Sequence, residues 1–286
     1  MASLFFLTKG MPSLKRGMAS LILSLVIIIS MKKFGLIGYP LLKSFSKPWF
    51  NNKFINEGID AIYEIYPLQS IDEFSELLKN IPEIEGLNVT IPYKKSIIPF
   101  LDSLDAEAEA IGAVNVIKFI KSASGNSRLK GYNSDLFGFR ESIRPFIEKI
   151  RKENNYETKL KALILGTGGA SKAVYFGLKQ LDVKPLYVSR TSGNDIITYD
   201  QLMSEHYSEY RIIVNTTPLG MSPDIKSCPQ IDYSLINSKH LLFDAVYNPD
   251  KTLFLQKGEE MGATIKNGLE MLFLQAEAAW KIWNDE

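Results

Sequence analysis

The sequence predicts an α/β protein of two domains, an N-terminal α/β half and a C-terminal half built on a parallel sheet, with a cleft between them. Three observations predict it. Short apolar runs alternate with helix-length amphipathic stretches from Met31 onward. Residues 162–165 are almost continuously apolar, as a parallel strand buried on both faces requires. A chain of 286 residues has enough apolar side chains for two modest cores.

The elements follow in order. Residues 34–38 read as a strand and 47–57 as a helix ending near Gly58. A strand at 61–66 and a helix at 71–79 come next. The strand at 87–90 runs into Pro92, which turns the chain. Residues 106–112 read as the end of a helix, and 114–120 and 128–132 flank the hairpin signal SASGNS at 122–127. Helical periodicity spans 135–150, and RKENNYETK (151–159) reads as a solvated connection. Beyond it lie strands at 162–165, 185–189, 211–215 and 241–244, and helices at 170–181, 252–261 and 268–283. This places a first domain at 31–134, completed by the C-terminal helix 268–286, and a second at 135–267. Ligands of such sheets bind at the carboxyl ends of strands, so the cleft is the expected site.

The first 30 residues stand apart. LILSLVIII (21–29), behind Lys15 and Arg16, is about half the length of a membrane span and lacks a small-x-small cleavage site. MKKFGLIGY (31–39) already begins as a first strand, so residues 1–30 are expected to be an extension outside the fold, with no membrane role for the folded part.

Composition narrows the function. A net charge of +1 offers no field for nucleic acid or an anionic membrane, so an anionic substrate must be held by local groups. The lone thiol, Cys228, cannot form an internal disulfide, which fits a reducing, cytoplasmic setting. Nothing near it in sequence activates it as a nucleophile, and a free thiol in a loop is the plainer reading. The two histidines, His206 and His240, form no cluster of zinc spacing with it, so no metal is expected.

KALILGTGGAS (161–171) is the first chemical signal: an apolar strand runs straight into Gly166, Gly168 and Gly169, and a helix follows. Gly166 permits a tight turn, Gly168 and Gly169 let a pyrophosphate approach the backbone, and the helix start supplies free amides. A third glycine or alanine is usual at position 171, where this chain has Ser171. The next strand ends in LYVSR (186–190), with no acid until Asp195. An NAD site usually places an acid there, whereas Ser189, Arg190, Thr191 and Ser192 offer hydroxyls and a cation for a 2′-phosphate. These residues predict a Rossmann-type domain that binds NADP(H).

Four further segments are chemically suggestive. Ser44 and Ser46 in GYPLLKSFSKP precede a helix, where they could cap it or bind a carboxylate. GLNVTIPYKK carries Asn88, Thr90 and Lys94 beyond a strand; exposed lysines at an Asn/Thr-rich strand end are the plainer reading. Asn115 in GAVN opens a strand, and Asp135 in GYNSD precedes a helix whose first turn favours an acid in any case.

Taken in order, SFS, NVTIPYK, GAVN, NSD, GTGGA, SRT, NTTPLGM (215–221), DAVYNPDKT (244–252) and NGLEMLFLQA (267–276) resemble the shikimate dehydrogenase family over about residues 33–283. The departures are Lys43 where a histidine is common, a proline displaced to Pro48, Ser134 for a threonine and Ser189 for an asparagine. The resemblance implies NADPH-dependent reduction of the small molecule 3-dehydroshikimate to shikimate, in aromatic amino acid biosynthesis, by a monomer or homodimer. It implies Lys94 as the group that stabilises and protonates the reduced ketone oxygen, and Asp135 as the acid that holds it. It further implies Ser44, Ser46 and Tyr247 on the substrate carboxylate, and Asn88, Thr90, Asn115 and Gln275 on ring hydroxyls. For the cofactor it implies Gly166, Thr167, Gly168, Gly169, Ala170, Ser189, Arg190, Thr191, Thr216, Thr217, Pro218, Ala245 and Gly268. A quinate/shikimate dehydrogenase using NAD, a ligand-binding sensor without activity, and a different reductase on a related scaffold are the other readings. The first would favour an acid at the second strand end, the second would lack Lys94 or Asp135, and the third would lack the serine pair and Gln275.

Overall fold

The computed structural model describes residues 31–41, 44–81, 83–121, 127–154 and 159–284. The extension 1–30, Lys43, most of the hairpin signal at 122–126 and residues 155–158 lie outside the described residues. The chain divides after Leu87 into two compact units.

In the first unit β1 (Lys32–Gly38) and β2 (Ala61–Pro67) pair in parallel, from Lys32 opposite Ala61 to Gly38 opposite Pro67. The crossover is α1 (Ser46–Glu57), and Gly58 ends it in the left-handed region at φ 66°, the role its sequence position predicts. Phe34, Phe50, Phe54 and Tyr63 fill the space between helix and strands, with Phe50 stacked on Tyr63 at 4.6 Å. The helix expected at 71–79 is split: a 3-10 turn (Ile71–Glu73) with a capping box from Ser70 and Glu73 leads into α2 (Phe74–Asn80). β3 (Ile84–Val89) carries the chain into the second unit.

That unit starts with β4 (Ser103–Leu104), α3 (Ala106–Ile111), β5 (Val116–Lys121) and β6 (Ser127–Tyr132). β6 pairs antiparallel with β5 and parallel with β4. Residues 106–112 are not the end of a longer helix. They form a complete short one, because Asp105 caps its start and Gly112 takes the left-handed exit.

The long helix α4 (Ser134–Asn154) follows and corrects a second expectation. Residues 151–154 continue the helix instead of forming a solvated connection. Basic residues suit a helix C-terminus, and the Arg151 guanidinium donates to the carbonyls of Leu181 (2.6 Å) and Asp182 (3.2 Å).

The remaining strands are β7 (Lys161–Leu165), β8 (Lys184–Ser189), β9 (Ile196–Thr198), β10 (Ile212–Asn215), β11 (Leu241–Asp244) and β12 (Thr264–Lys266). They form one parallel sheet in the order β12-β11-β10-β7-β8-β9. The helices between and after them are α5 (Gly169–Gln180), α6 (Ser204–Glu209), α7 (Leu253–Glu260) and α8 (Leu269–Asn284). One apolar cluster joins Phe139, Ile143, Val174, Leu178 and Met271 of α4, α5 and α8 to a face of the sheet; Tyr207, Phe254 and Leu255 of α6 and α7 cover the other. β7 sits between β8 and β10, so the order reverses at β7, and the carboxyl ends of these three strands form the switch point at which such sheets bind ligands. The strands β4, β9 and β12 and the helix α6 were not expected, since two to six residues carry too little periodicity to read.

Candidate active site

Two groups of functional side chains assemble within the second unit. The first is built on the turn after β3. The Tyr93 amide donates to the Thr90 carbonyl (2.9 Å), and that of Ile97 to the Tyr93 carbonyl (3.0 Å). Buried Tyr93 and Ile97 anchor the turn, and the Val114 amide pins the Lys94 carbonyl at 2.7 Å. With its backbone held from both sides, Lys94 reaches the first turn of α4, where its ammonium meets Asp135 Oδ2 at 2.6 Å. The side chains are 22% and 12% exposed, so the pair is shielded but still reachable.

Asp135 is not the cap of its helix. Asn133 Oδ1 accepts the Leu136 amide (3.3 Å) and takes that role, leaving the carboxylate for other partners. Its second oxygen accepts from Asn115 Nδ2 at 2.9 Å. Asn115 also donates to Ser134 Oγ (3.0 Å) and accepts the Ser134 amide (2.7 Å). The hydroxyl that Ser134 shares with the threonine usual at its position is therefore in use. Asn88 Nδ2 donates to the Asn115 carbonyl (3.2 Å), tying β3 to the strand that follows Asn115. Gln275, on α8, lies 3.5 Å from Ser134 Oγ. Gly138 makes that approach possible: a Cβ there would lie 2.5 Å from the Met271 carbonyl and 3.0 Å from the Gln275 amide. Lys94, Asp135, Asn115, Ser134, Asn88 and Gln275 thus form one connected cluster. Lys94 uses one of its three N–H donors on Asp135.

The second group surrounds the turn after β7. Gly166 has φ 101°, and a Cβ there would meet Thr217 at 2.9 Å, so both the conformation and the neighbour require glycine. Gly168 and Gly169 are different. A Cβ on either would meet nothing within 4 Å, so these glycines face open space. Gly168 caps α5 without a side-chain hydrogen bond, leaving the helix start free for an anion. Ser171, in place of the usual glycine or alanine, is buried and donates to the Gly168 carbonyl (2.6 Å).

A cavity of about 1000 Å³ opens beside this turn, at the upper end of the range for small-molecule sites. Gly166, Thr167, Gly168, Ser189, Arg190, Thr216, Thr217 and Pro218, all candidate cofactor residues, line it. Asp200, Lys226, Cys228 and Lys257 line it too, and the sequence reading did not place them there. Open glycine amides, an arginine at the end of β8 and a cavity of this size fit a phosphorylated dinucleotide.

The wall on the β10 side is braced from behind. Asn215 Oδ1 accepts the Thr217 amide (3.0 Å) and hydroxyl (2.7 Å), and its Nδ2 donates to Asp244 Oδ1 (3.0 Å). Asp244 also accepts from the Thr252 hydroxyl (2.5 Å) and the Val246 amide (3.0 Å). Burial pushes its carboxyl up to about 6, against the pull of these hydrogen bonds. Asn215 and Asp244 stand in quoted motifs but carried no assigned role; the available signal was a polar residue ending each of two adjacent apolar strands. Gly268 packs against the chain that follows Asp244, where a Cβ would lie 2.3 Å from the Ala245 carbonyl.

Leu136, beside Asp135, packs with Ala173 of α5 in one apolar cluster with Ile111 and Ala113. The ammonium–carboxylate pair therefore shares a core with the helix that leaves the glycine turn. Ser44 and Ser46 belong to the first unit, where the Ser46 amide donates to Ser44 Oγ (3.1 Å); Phe45 holds the cap position of α1, which has no side-chain cap hydrogen bond. Tyr247 is 39% exposed, and Gly169, Ala170, Thr191, Ala245 and Gly268 are not among the cavity's lining residues. Among the described residues, no group of His, Cys, Asp and Glu could hold a metal ion, and no helix is long and apolar enough to cross a membrane.

Residues 36–117 match the family model described as the shikimate dehydrogenase substrate binding domain. A shikimate dehydrogenase (NADP(+)) of Caldicellulosiruptor saccharolyticus is 34% identical over 272 residues, covering 89% of this chain and 93% of that protein. One of Aquifex aeolicus is 34% identical over 262 residues, covering 88% and 90%. A crystal structure of a shikimate dehydrogenase in complex with NADP+ superposes with a TM-score of 0.77 at 28% identity, covering 90% of this chain and 91% of that one. The Thermus thermophilus shikimate 5-dehydrogenase in complex with NADP(H) and shikimate gives 0.72 at 28% identity, covering 90% and 94%.

Proposed function

This chain belongs to the shikimate dehydrogenase family, and from that premise we propose how its own residues carry out NADPH-dependent reduction of 3-dehydroshikimate to shikimate. The observation that supports the reading most directly is the 2.6 Å contact of Lys94 with Asp135, held in place by Asn115.

Bound NADPH supplies a hydride to the ketone carbon. The carbonyl oxygen then carries the charge, and it needs a positive group and a proton. The Lys94 ammonium offers both, through the N–H donors it does not give to Asp135. Asp135 keeps the ammonium aimed, and Asn115 keeps the carboxylate from turning. In the oxidative direction Lys94 takes the proton back.

Ser44 and Ser46, with Tyr247, are assigned to the substrate carboxylate, and Asn88, Thr90, Asn115 and Gln275 to its hydroxyls. Of these, Asn115 already gives its N–H donors to Asp135 and Ser134 and its oxygen to the Ser134 amide, so it would act on the substrate by orienting Asp135. The amides from Thr167 through Ala170 would take the pyrophosphate, with Gly166, whose own amide donates to the Val188 carbonyl (2.8 Å), making the turn that presents them. Ser189, Arg190 and Thr191 take the 2′-phosphate, and Thr216, Thr217, Pro218, Ala245 and Gly268 line the nicotinamide side. In this reading 31–134 with the helix 268–286 handle substrate, and 135–267 handle cofactor. The protein acts on a free small molecule in the cytoplasm. Monomer and homodimer are equally compatible with this proton site, because Lys94 and Asp135 come from one chain.

The test is an absorbance assay of the purified full chain at the NADPH band, with shikimate or quinate and NADP+ or NAD+. Turnover with shikimate and NADP+ should exceed the other three combinations. Faster turnover of quinate with NAD+ would transfer the chain to the rival specificity.

A further inference from the structure

The cofactor cavity holds more positive charge than the assigned residues supply. Arg190, Lys226 and Lys257 all line it, against a single carboxylate, Asp200. Pairing is the habit of lysines in this molecule: Lys33, Lys47, Lys53, Lys159 and Lys251, among others, each sit on a carboxylate. Among the described residues, none of the three cavity cations forms such a pair.

Lys257 is the clearest case. It stands on α7, and a glutamate three positions on, Glu260, would be its natural helical partner. Glu260 instead accepts from Gln256 (2.9 Å), and the Lys257 ammonium lies over the Tyr233 ring, 4.8 Å from its centroid. The ring is itself fixed. Its hydroxyl donates to the Pro229 carbonyl (2.9 Å), and it packs edge-on against Phe254 of the same helix. A half-buried lysine is thus held on an aromatic platform, facing a cavity and away from an available acid. Lys226, more exposed, adds a second ammonium from the loop after β10.

We propose that Lys257, assisted by Lys226, is a second determinant of cofactor specificity, contributing with Arg190 to recognition of the phosphate monoester on the adenine ribose. The proposal rests on the reading of this cavity as the NADP(H) site. The glycine turn already provides amides for the pyrophosphate, so the monoester is the cofactor's remaining dianion without a helix start of its own. Ammonium groups suit it as point charges, complementing the forked guanidinium of Arg190.

The test is calorimetric titration of the full chain with adenosine 2′,5′-bisphosphate and with 5′-AMP, which lacks the 2′-phosphate. Wild type is compared with Lys257→Gln, Lys226→Gln and the double variant, each checked for an unchanged melting temperature. Lys257→Gln should weaken the bisphosphate about fivefold, the double variant more, and both should leave 5′-AMP within twofold. Equal weakening of both nucleotides, or none of either, overturns the proposal while leaving the cofactor reading intact. A wild-type chain that binds neither nucleotide overturns both.

Discussion

The two halves of the site are built on opposite principles. Around Asp135 the polar groups complete one another. Both carboxylate oxygens are occupied, Asn115 spends its donors and its acceptor inside the protein, and Asn88 secures the backbone carbonyl of Asn115. Around the glycine turn the lining is left incomplete, with bare amides at the start of α5 and cations that form no salt bridge among the described residues. The difference teaches which part acts and which part receives. A proton donor has to stand ready in one orientation before the substrate arrives, because reorganisation during the reaction adds to the barrier. A cofactor that comes and goes brings the charge its pocket lacks.

The sharpest way to break this contrast is at Lys94. Lys94→Ala should lower kcat about a thousandfold while the substrate KM stays nearly constant, the pattern of a contact made mainly in the transition state. Steady-state kinetics of the purified variant measure it. A kcat within a few-fold of wild type would remove Lys94 from the chemistry and leave the ordered cluster without a purpose.

Asp244 tests whether the completed style extends behind the cofactor wall. Its folded-state carboxyl titrates near 6, raised by burial from an ordinary value of 3.8. A raised acid contributes stability that is fully present below about pH 4 and is lost as pH rises through about 6, up to about 3 kcal/mol over that window. Asp244→Asn has no such titration, so wild type should lose stability relative to the variant between about pH 4 and about pH 6. Chemical denaturation at several pH values reads the difference. Parallel pH profiles would show that the carboxylate is as well satisfied folded as unfolded.

How far the sequence carried depends on the kind of signal. Strand–helix alternation and apolar runs placed the major elements, since burial on two faces leaves a continuous apolar stretch such as 162–165. The glycine turn was legible because a φ of 101°, as at Gly166, is open at little cost only to glycine. Lys94 and Asp135 were legible through ordered motifs, but their meeting was not: 41 positions separate them, and no local pattern encodes a long-range contact. The extension of α4 to Asn154 was hidden because a run of charges looks the same on a helix end and in a loop. Lys226, Cys228 and Lys257 were hidden for a related reason. They reach the cavity from a loop and a helix that follow β10 and β11, and only the fold brings those segments to the glycine turn.

Arg190 sharpens the receiving half. Arg190→Ala should raise the dissociation constant of NADPH about thirtyfold and leave that of NADH within a few-fold, by the worth of a charge-assisted phosphate contact. Nucleotide fluorescence titration separates the two. Equal losses would place the arginine on a feature that both cofactors share.

The smallest effect is the most direct report on where the cofactor lies. Cys228 is the chain's only cysteine and lines the cavity in a half-buried position, so a thiol reagent gives one signal from one place. A nucleotide seated against Arg190 and Lys257 would cover it. At a concentration of NADPH ten times its dissociation constant, only about a tenth of the sites stay open, and labelling should slow about tenfold. NADH at the same total concentration should protect less, because it lacks the phosphate that the cations await. Shikimate alone should not protect, since the proton site draws on Lys94 and Asp135 and on none of the cavity's lining residues. Labelling that shikimate slows and NADPH does not would reverse the roles of the two halves, putting the receiving pocket where the substrate binds.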